Sequence, residues 1–252
     1  MLAFERREAI TKKIMQEKKI LVSDLSIRFE VSEETIRRDL EKLEKEGILT
    51  RTHGGATLLS QTNQDIPYIT RNTLNRDRKA IIAQKVLEIV PDHATLMVDA
   101  SSTVFEAIDA MKNVKENLTV ITNSIDVLYS FLNSDLQLIS TGGTLRKPSQ
   151  SMVGVSAELT LNRYNVDFGM FSCRSLSLQS GIMDSNEPES EIKKAMSNRS
   201  SKVIMLVDST KFDTESFINV FSLDEIDYLI TDEEPPQVWI DTCLEKNIEL
   251  IY

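Results

Sequence analysis

Five short stretches of this chain share one chemical character. They are Asp99-Ala100-Ser101-Ser102-Thr103, Thr122-Asn123-Ser124, Ser140 to Lys147 around Gly142-Gly143 and Arg146, Ser172-Cys173-Arg174, and Asp208-Ser209-Thr210-Lys211. Together they supply hydroxyls, glycine amides, carboxylates and cations. Hydroxyls and helix N-termini suit a phosphate, Arg and Lys neutralise it, and Asp or Asn holds sugar hydroxyls. Neither histidine falls in these stretches, and no acid–base pair stands out, so the chemistry is recognition of a small polar anion rather than turnover. Each stretch alone has an ordinary reading: an N-cap at Asp99–Thr103, a turn at Gly142-Gly143, a surface ion pair at Asp208–Lys211. Their weight lies in convergence.

A second set of groups sits near the N-terminus. Ser32, Thr35, Arg37 and Arg38 precede Arg51 and His53 by 13 to 21 residues. Polar groups and arginines presented from a helix and a neighbouring strand can contact phosphates and base edges. A Glu- and Arg-rich helix also suits a solvated face or a protein contact.

Seven apolar runs must position the first set: Thr95–Val98, Leu118–Ile121, Leu136–Ile139, Phe168–Phe171, Val203–Val207, Tyr228–Ile230 and Ile248–Ile251. Near-continuous apolar strands alternating with helical stretches indicate a mostly parallel sheet covered on both faces. Ligands bind such sheets at the carboxyl ends of strands. Five of the runs lead directly into the five polar stretches. A helix is expected over Arg76–Val90, with Ile81, Ile82, Val86 and Ile89 clustered inside and Arg78, Lys79 and Lys85 facing out. Another is expected over Val104–Met111.

The second set needs a helix opened by Ser32 as N-cap and closed by Gly47. Ile36, Leu40 and Leu43 give it one apolar stripe. Ile10 and Ile14 mark a first helix. Leu25 and Phe29 mark a second, for which Ser23 is a candidate cap. Ile48 to Leu58 reads as a β-hairpin with Arg51 and His53 on one strand face, turning at Gly54-Gly55 with φ > 0. Three short helices and a hairpin make a winged helix-turn-helix.

At these residues the chain resembles the DeoR-type (DeoR/GlpR) bacterial transcription regulators. The resemblance is carried by Arg6, Ile10, Val31–Leu40, Gly47-Ile48-Leu49 and Arg51–Ala56. It continues through Asp99–Thr103, Thr122–Ser124, Gly142-Gly143, Val153-Gly154, Gly181, Glu191–Met196 and Asp208–Phe212. It implies a DNA-binding domain over 1–58, a linker over 59–75 and an effector-sensing domain over 76–252. The sensor is expected to be a Rossmann-like three-layer α/β domain, similar in fold to ribose-5-phosphate isomerases. Ser32, Thr35, Arg37, Arg38, Arg51 and His53 are the implied contacts to a double-stranded operator, with Asp39 a fold-stabilising partner for an arginine. The implied effector site is Asp99, Ser101, Ser102, Thr103, Thr122, Asn123, Gly142, Gly143, Arg146, Arg174, Lys193, Asp208 and Lys211. The implied effector is a phosphorylated sugar or related metabolite. The resemblance further implies a homo-oligomer, a dimer or a tetramer, that represses sugar-uptake or catabolic genes. The competing reading is a sugar-phosphate isomerase-like enzyme with an appended DNA module, using Asp99, Asp184 or Glu187 as base. Two departures stand out. The family often has glycine where this chain has Ala100-Ser101, and Phe171–Arg174 replaces a smaller segment, which points to Arg174 as a specificity residue.

Charge divides as this organisation requires. Residues 1–58 hold 12 Lys/Arg and 11 Asp/Glu, and the remainder holds 17 and 28, within a chain of net charge −10. Only the N-terminal module can approach DNA without net repulsion, and its affinity must come from placed arginines and paired modules. Cys173 and Cys243 have no partner at metal-ligand spacing, so no metal or cofactor is expected and the thiols read as reduced. No apolar run approaches the ~18 residues of a membrane span, so a cytoplasmic protein is expected.

Overall fold

Ile10, Ile14, Leu25, Ile36, Leu40 and Leu43 are buried in one cluster, as their helical spacing requires. They come from α1 (Ala3–Glu17), α2 (Val22–Phe29) and α3 (Glu33–Lys45) of a first unit, Met1–Leu74. The computed structural model describes residues 2–45, 47–58 and 65–252. Ser32 Oγ accepts from the Thr35 N–H at 3.2 Å and so caps α3. Gly47 has φ +71°, and Ile48 N–H returns to the Leu43 carbonyl at 3.0 Å, closing the helix. Asp39 is buried against Arg6, whose Nε lies 2.6 Å from Oδ2, so this carboxylate ties α3 to α1.

The wing differs from the expected hairpin. Three antiparallel strands, β1 (Lys19–Leu21), β2 (Leu49–Thr52) and β3 (Gly55–Leu58), lie in the order β1-β3-β2. The turn is His53-Gly54, and neither residue has positive φ. His53 is therefore at the exposed tip and not on a strand face with Arg51. Gly55 is needed for a different reason: a Cβ there would stand 2.0 Å from the Ile20 carbonyl oxygen of β1. Ser23 lies inside α2, which starts after Leu21 without a side-chain cap. Of the expected linker, residues 59–64 lie outside the described residues. Its later part forms α4 (Tyr68–Thr73) with Tyr68 buried, not irregular chain.

The second unit is Asn75–Tyr252. In order it runs α5 (Arg76–Val86), β4 (Thr95–Val98), α6 (Ser102–Met111), β5 (Thr119–Thr122), α7 (Ile125–Ser130), β6 (Gln137–Ser140), β7 (Thr144–Arg146), β8 (Ser151–Val153), α8 (Val155–Leu161), β9 (Val166–Phe171), β10 (Ser175–Ser177), β11 (Gly181–Asp184), α9 (Glu187–Ser197), β12 (Ser200–Leu206), β13 (Ile218–Phe221), β14 (Tyr228–Ile230), α10 (Gln237–Glu245) and β15 (Glu249–Ile251). The seven apolar runs make one parallel sheet, β15-β14-β12-β9-β4-β5-β6. Alternate residues face opposite layers. Leu96, Val98, Met170, Ile204 and Leu206 pack with α5, α6 and α7. Met97, Phe171, Met205 and Val207 pack with α8, α9 and α10. The result is a three-layer α/β/α domain.

The strand order reverses between β4 and β9, because β5 and β6 extend the sheet one way and β12, β14 and β15 the other. This is the crevice where open parallel sheets bind ligands. On α5 the expected faces are partly exchanged: Ile81 is exposed, while Lys79 is buried. A small sheet, β10-β11-β13, and the hairpin β7-β8 add strands too short for periodicity to mark.

Candidate functional site

Asp99 follows β4 and Ser172 follows β9, so both stand at the switch point. Between them lies the ammonium of Lys193, carried there by α9. Lys193 Nζ donates to Asp99 Oδ2 and, at 2.6 Å, to the Ser172 carbonyl. Asp184 Oδ2, from the end of β11, lies 3.2 Å away. Lys193 and Asp99 are 6% and 2% exposed, so this is an interior ion pair. Burial works to strip the Lys193 proton, but the charges of Asp99 and Asp184 and the Asp99 hydrogen bond reverse that, and its pKa rises. Lys193 is therefore held toward its charged form by the two carboxylates.

The cluster extends along the same sheet edge. Asp99 Oδ1 accepts from the Ser101 N–H at 3.1 Å, and Ser101 Oγ caps α6 by accepting from Val104 N–H at 3.2 Å. Buried Lys79 donates to Ser102 Oγ at 2.9 Å. Asp208, 3% exposed, accepts from the Thr210 N–H at 3.2 Å and from Asn75 Nδ2 at 3.3 Å. Burial alone would raise the Asp208 pKa. The charge of Lys211, the Thr210 hydrogen bonds and the charge of Lys79 outweigh it, and the net shift is downward. Lys79, Lys193 and Lys211 thus face Asp99, Asp184 and Asp208 in balance.

The other expected residues divide. Thr122 Oγ1 donates to the Val98 carbonyl at 2.9 Å and accepts from Ser124 N–H, so it holds β4 to β5. Asn123 Nδ2 donates to the Met152 carbonyl, while its buried Oδ1 has no partner. Gly143 has φ +117° and stands where a Cβ would lie 2.7 Å from the Val153 carbonyl oxygen; Gly142 is also left-handed. Arg146 pairs with Glu189 at 3.5 Å and with Ser149 at 3.0 Å. Glu189, which sequence reasoning missed, also accepts from Ser151 Oγ at 2.9 Å. It sits one turn before Lys193, so α9 serves both the switch point and the β7-β8 hairpin. Thr103 is buried in the first turn of α6, and Arg174 is half-buried beside β10. A separate surface groove of about 370 Å³, lined by Ile125, Asp126, Tyr129, Leu145, Lys147 and Gln150, shares none of the switch-point residues. No group of metal-ligating residues occurs among the described residues.

In the first unit, Ser32 at the cap of α3 and Arg37 and Arg38 on the helix are exposed, Thr35 is half-exposed, and β2 exposes Arg51. Glu33, Glu34 and Glu44 ion-pair with Arg37, Arg38 and Arg51.

A winged helix-turn-helix followed by a parallel α/β domain with a polar switch point defines a DNA-binding regulator with a built-in sensor. Residues 6–62 match the DeoR-like helix-turn-helix domain, and residues 74–233 match the DeoR C terminal sensor domain. The chain belongs to the DeoR family of transcriptional regulators. It is 38% identical to the HTH-type transcriptional regulator YulB of Bacillus subtilis (strain 168), over 99% of this chain and 96% of that one. It is 33% identical to the L-fucose operon activator of Haemophilus influenzae, over 96% and 97%. It is 28% identical to the glycerol-3-phosphate regulon repressor of Escherichia coli (strain K12), over 98% and 97%. Among solved structures, ribose 5-phosphate isomerase A of Neisseria gonorrhoeae aligns at 16% identity and TM-score 0.42, over 57% of this chain and 55% of that one, a likeness too distant to bear on function. No helix among the described residues is long and apolar enough to cross a membrane.

Proposed function

We propose that this regulator is a cytoplasmic repressor of carbohydrate uptake or catabolic genes, relieved by a phosphorylated sugar or related metabolite bound at the β4–β9 switch point. The observation that carries the reading is the buried Lys193–Asp99 pair, set among the hydroxyls of Ser101, Ser102 and Thr103 at the start of α6. Helix N–H groups and hydroxyls receive a phosphate, and carboxylates and amides receive sugar hydroxyls. The relative that controls a glycerol-3-phosphate regulon supports an effector of this class. The fucose-operon relative is an activator, so the direction of control rests on the assay below. A homo-oligomer, dimer or tetramer, pairs two winged modules on a symmetric operator, and the effector prefers one arrangement of them.

Thermal unfolding with a panel of sugar phosphates tests the sensor, and release of bound operator by the same compounds tests the coupling. A ligand at 100 times its Kd stabilises its domain by about 2.7 kcal/mol. No stabilisation by any phosphorylated sugar, with stabilisation by unphosphorylated sugars instead, rules the reading out.

A further inference from the structure

Each arginine offered to DNA is already held by a carboxylate of its own module. Arg37 Nη2 lies 2.5 Å from Glu33, and Arg38 Nε lies 3.3 Å from Glu34, each pair one helical turn apart on α3. Arg51 gives Glu44 both its backbone N–H, at 2.8 Å, and its Nε, at 2.7 Å, across from β2 to α3. Those two hydrogen bonds hold the Glu44 carboxyl below the usual range.

The module has little charge to spare, 12 Lys/Arg against 11 Asp/Glu in residues 1–58. A DNA phosphate that takes one of these arginines, through N–H groups the glutamate leaves open or by displacing it, meets the glutamate's charge beside the polyanion. That penalty is the same on every sequence, because phosphates carry no sequence information. Compensation differs: a guanine edge that accepts an arginine bidentately returns binding energy only at the right base pair.

We propose that Glu33, Glu34 and Glu44 are specificity-determining residues, which suppress sequence-independent DNA binding by holding Arg37, Arg38 and Arg51 until base contacts replace them. The inference rests on α3 being the recognition helix. The competing role is purely structural: Glu-to-Arg pairs at i, i+4 support a helix, and Glu44 braces the wing.

The test uses the full-length protein and two duplexes, one of random sequence and one selected from a random pool by the native chain. The variants are Glu33→Gln/Glu34→Gln, Glu44→Gln, and a charge-matched control, Glu8→Gln/Glu17→Gln, which removes the α1 partners of Lys12 and Lys13. Affinity is read across a salt series. The expected result is ~10-fold or greater tightening on the random duplex for the α3 pair, with a steeper salt dependence. The gain on the selected duplex is smaller, so the ratio falls, and the control leaves the ratio unchanged. Equal gains on both duplexes, or no gain on the random one, overturn the proposal. So does a loss of thermal stability with an unchanged ratio, which is the signature of helix support alone. Arg38→Ala keeps the two levels apart: if it leaves selected-site binding intact, the recognition-helix assignment itself fails. If it abolishes that binding while the glutamine variants change nothing, only the present inference fails.

Discussion

Lys193 and Asp99, 94 positions apart in the chain, share a buried hydrogen bond where β4 and β9 diverge. The bond ties α9 to the end of β4 and places the Lys193 ammonium at the switch point. Removing Lys193 leaves the buried Asp99 carboxylate without its ammonium partner, whereas removing Asp99 leaves Lys193 with Asp184. Lys193→Met is expected to cost about 3–5 kcal/mol of sensor-domain stability by urea denaturation. Asp184→Asn, which removes the more exposed carboxylate, costs less and provides a folded variant. If the Asn variant still responds to effector with undiminished affinity, Asp184 does not shape the site.

Arg38 is the most exposed of the three paired arginines, with 76% of its side chain open to solvent. Arg38→Ala should reduce operator affinity by ~1–3 kcal/mol if it reads a base. Folding stability should change by no more than about 0.5 kcal/mol, as for surface changes generally. Fluorescence anisotropy on a selected duplex, paired with thermal unfolding, separates the two. A stability loss matching the affinity loss would make Arg38 a structural residue.

Gly55 stands where β3 crosses close to β1, with no room for a methyl group. Gly55→Ala must push the Ile20 carbonyl away and open the wing. The expected cost is about 1–3 kcal/mol, as for overpacking. Gly54→Ala is the control, since a Cβ there meets nothing within 4 Å. Equal stability of the two variants in chemical denaturation would remove the packing argument.

Burial pushes the Cys243 thiol up to about 11 from its ordinary 9.0. The folded chain therefore keeps a proton that the unfolded chain loses near pH 9. Above that pH the unfolded state binds fewer protons, so stability falls as pH rises, until the folded thiol itself titrates near 11. The slope from this group is at most about 1.4 kcal/mol per pH unit. Cys243→Ala should flatten the pH 9–11 limb of a denaturation series. Parallel limbs for the two proteins would show that the thiol is not shielded.

The elements most legible in the sequence were those whose side chains repeat. Ile36, Leu40 and Leu43 at helical spacing drew α3, and Ser32 and Gly47 drew its ends, because caps and stripes are local devices. The seven apolar runs drew the seven parallel strands for the same reason. β1, β7, β8 and β10 were not legible: each is three residues long, too short to show a period, and only pairing makes it strand, β1 with the distant β3 and the others within local hairpins. Lys79 and Ile81 were misplaced because α5 carries almost no one-sided apolar stripe, so its faces turn toward whatever partners the fold supplies. For Lys79 that partner is Ser102.

By itself the sequence determined the class of each domain, the position of helix α3 and the polar stretches that end the strands, all encoded in neighbouring residues. It also determined how charge divides between the winged module and the sensor. Only the tertiary structure decided that Lys193 is an interior cation between Asp99, Asp184 and the Ser172 carbonyl, and that Glu189 binds Arg146 and Ser151 one turn earlier on the same helix. The reason is physical: a charge is driven inward by nothing in its own segment. It is held there by partners that the strand order alone brings within reach.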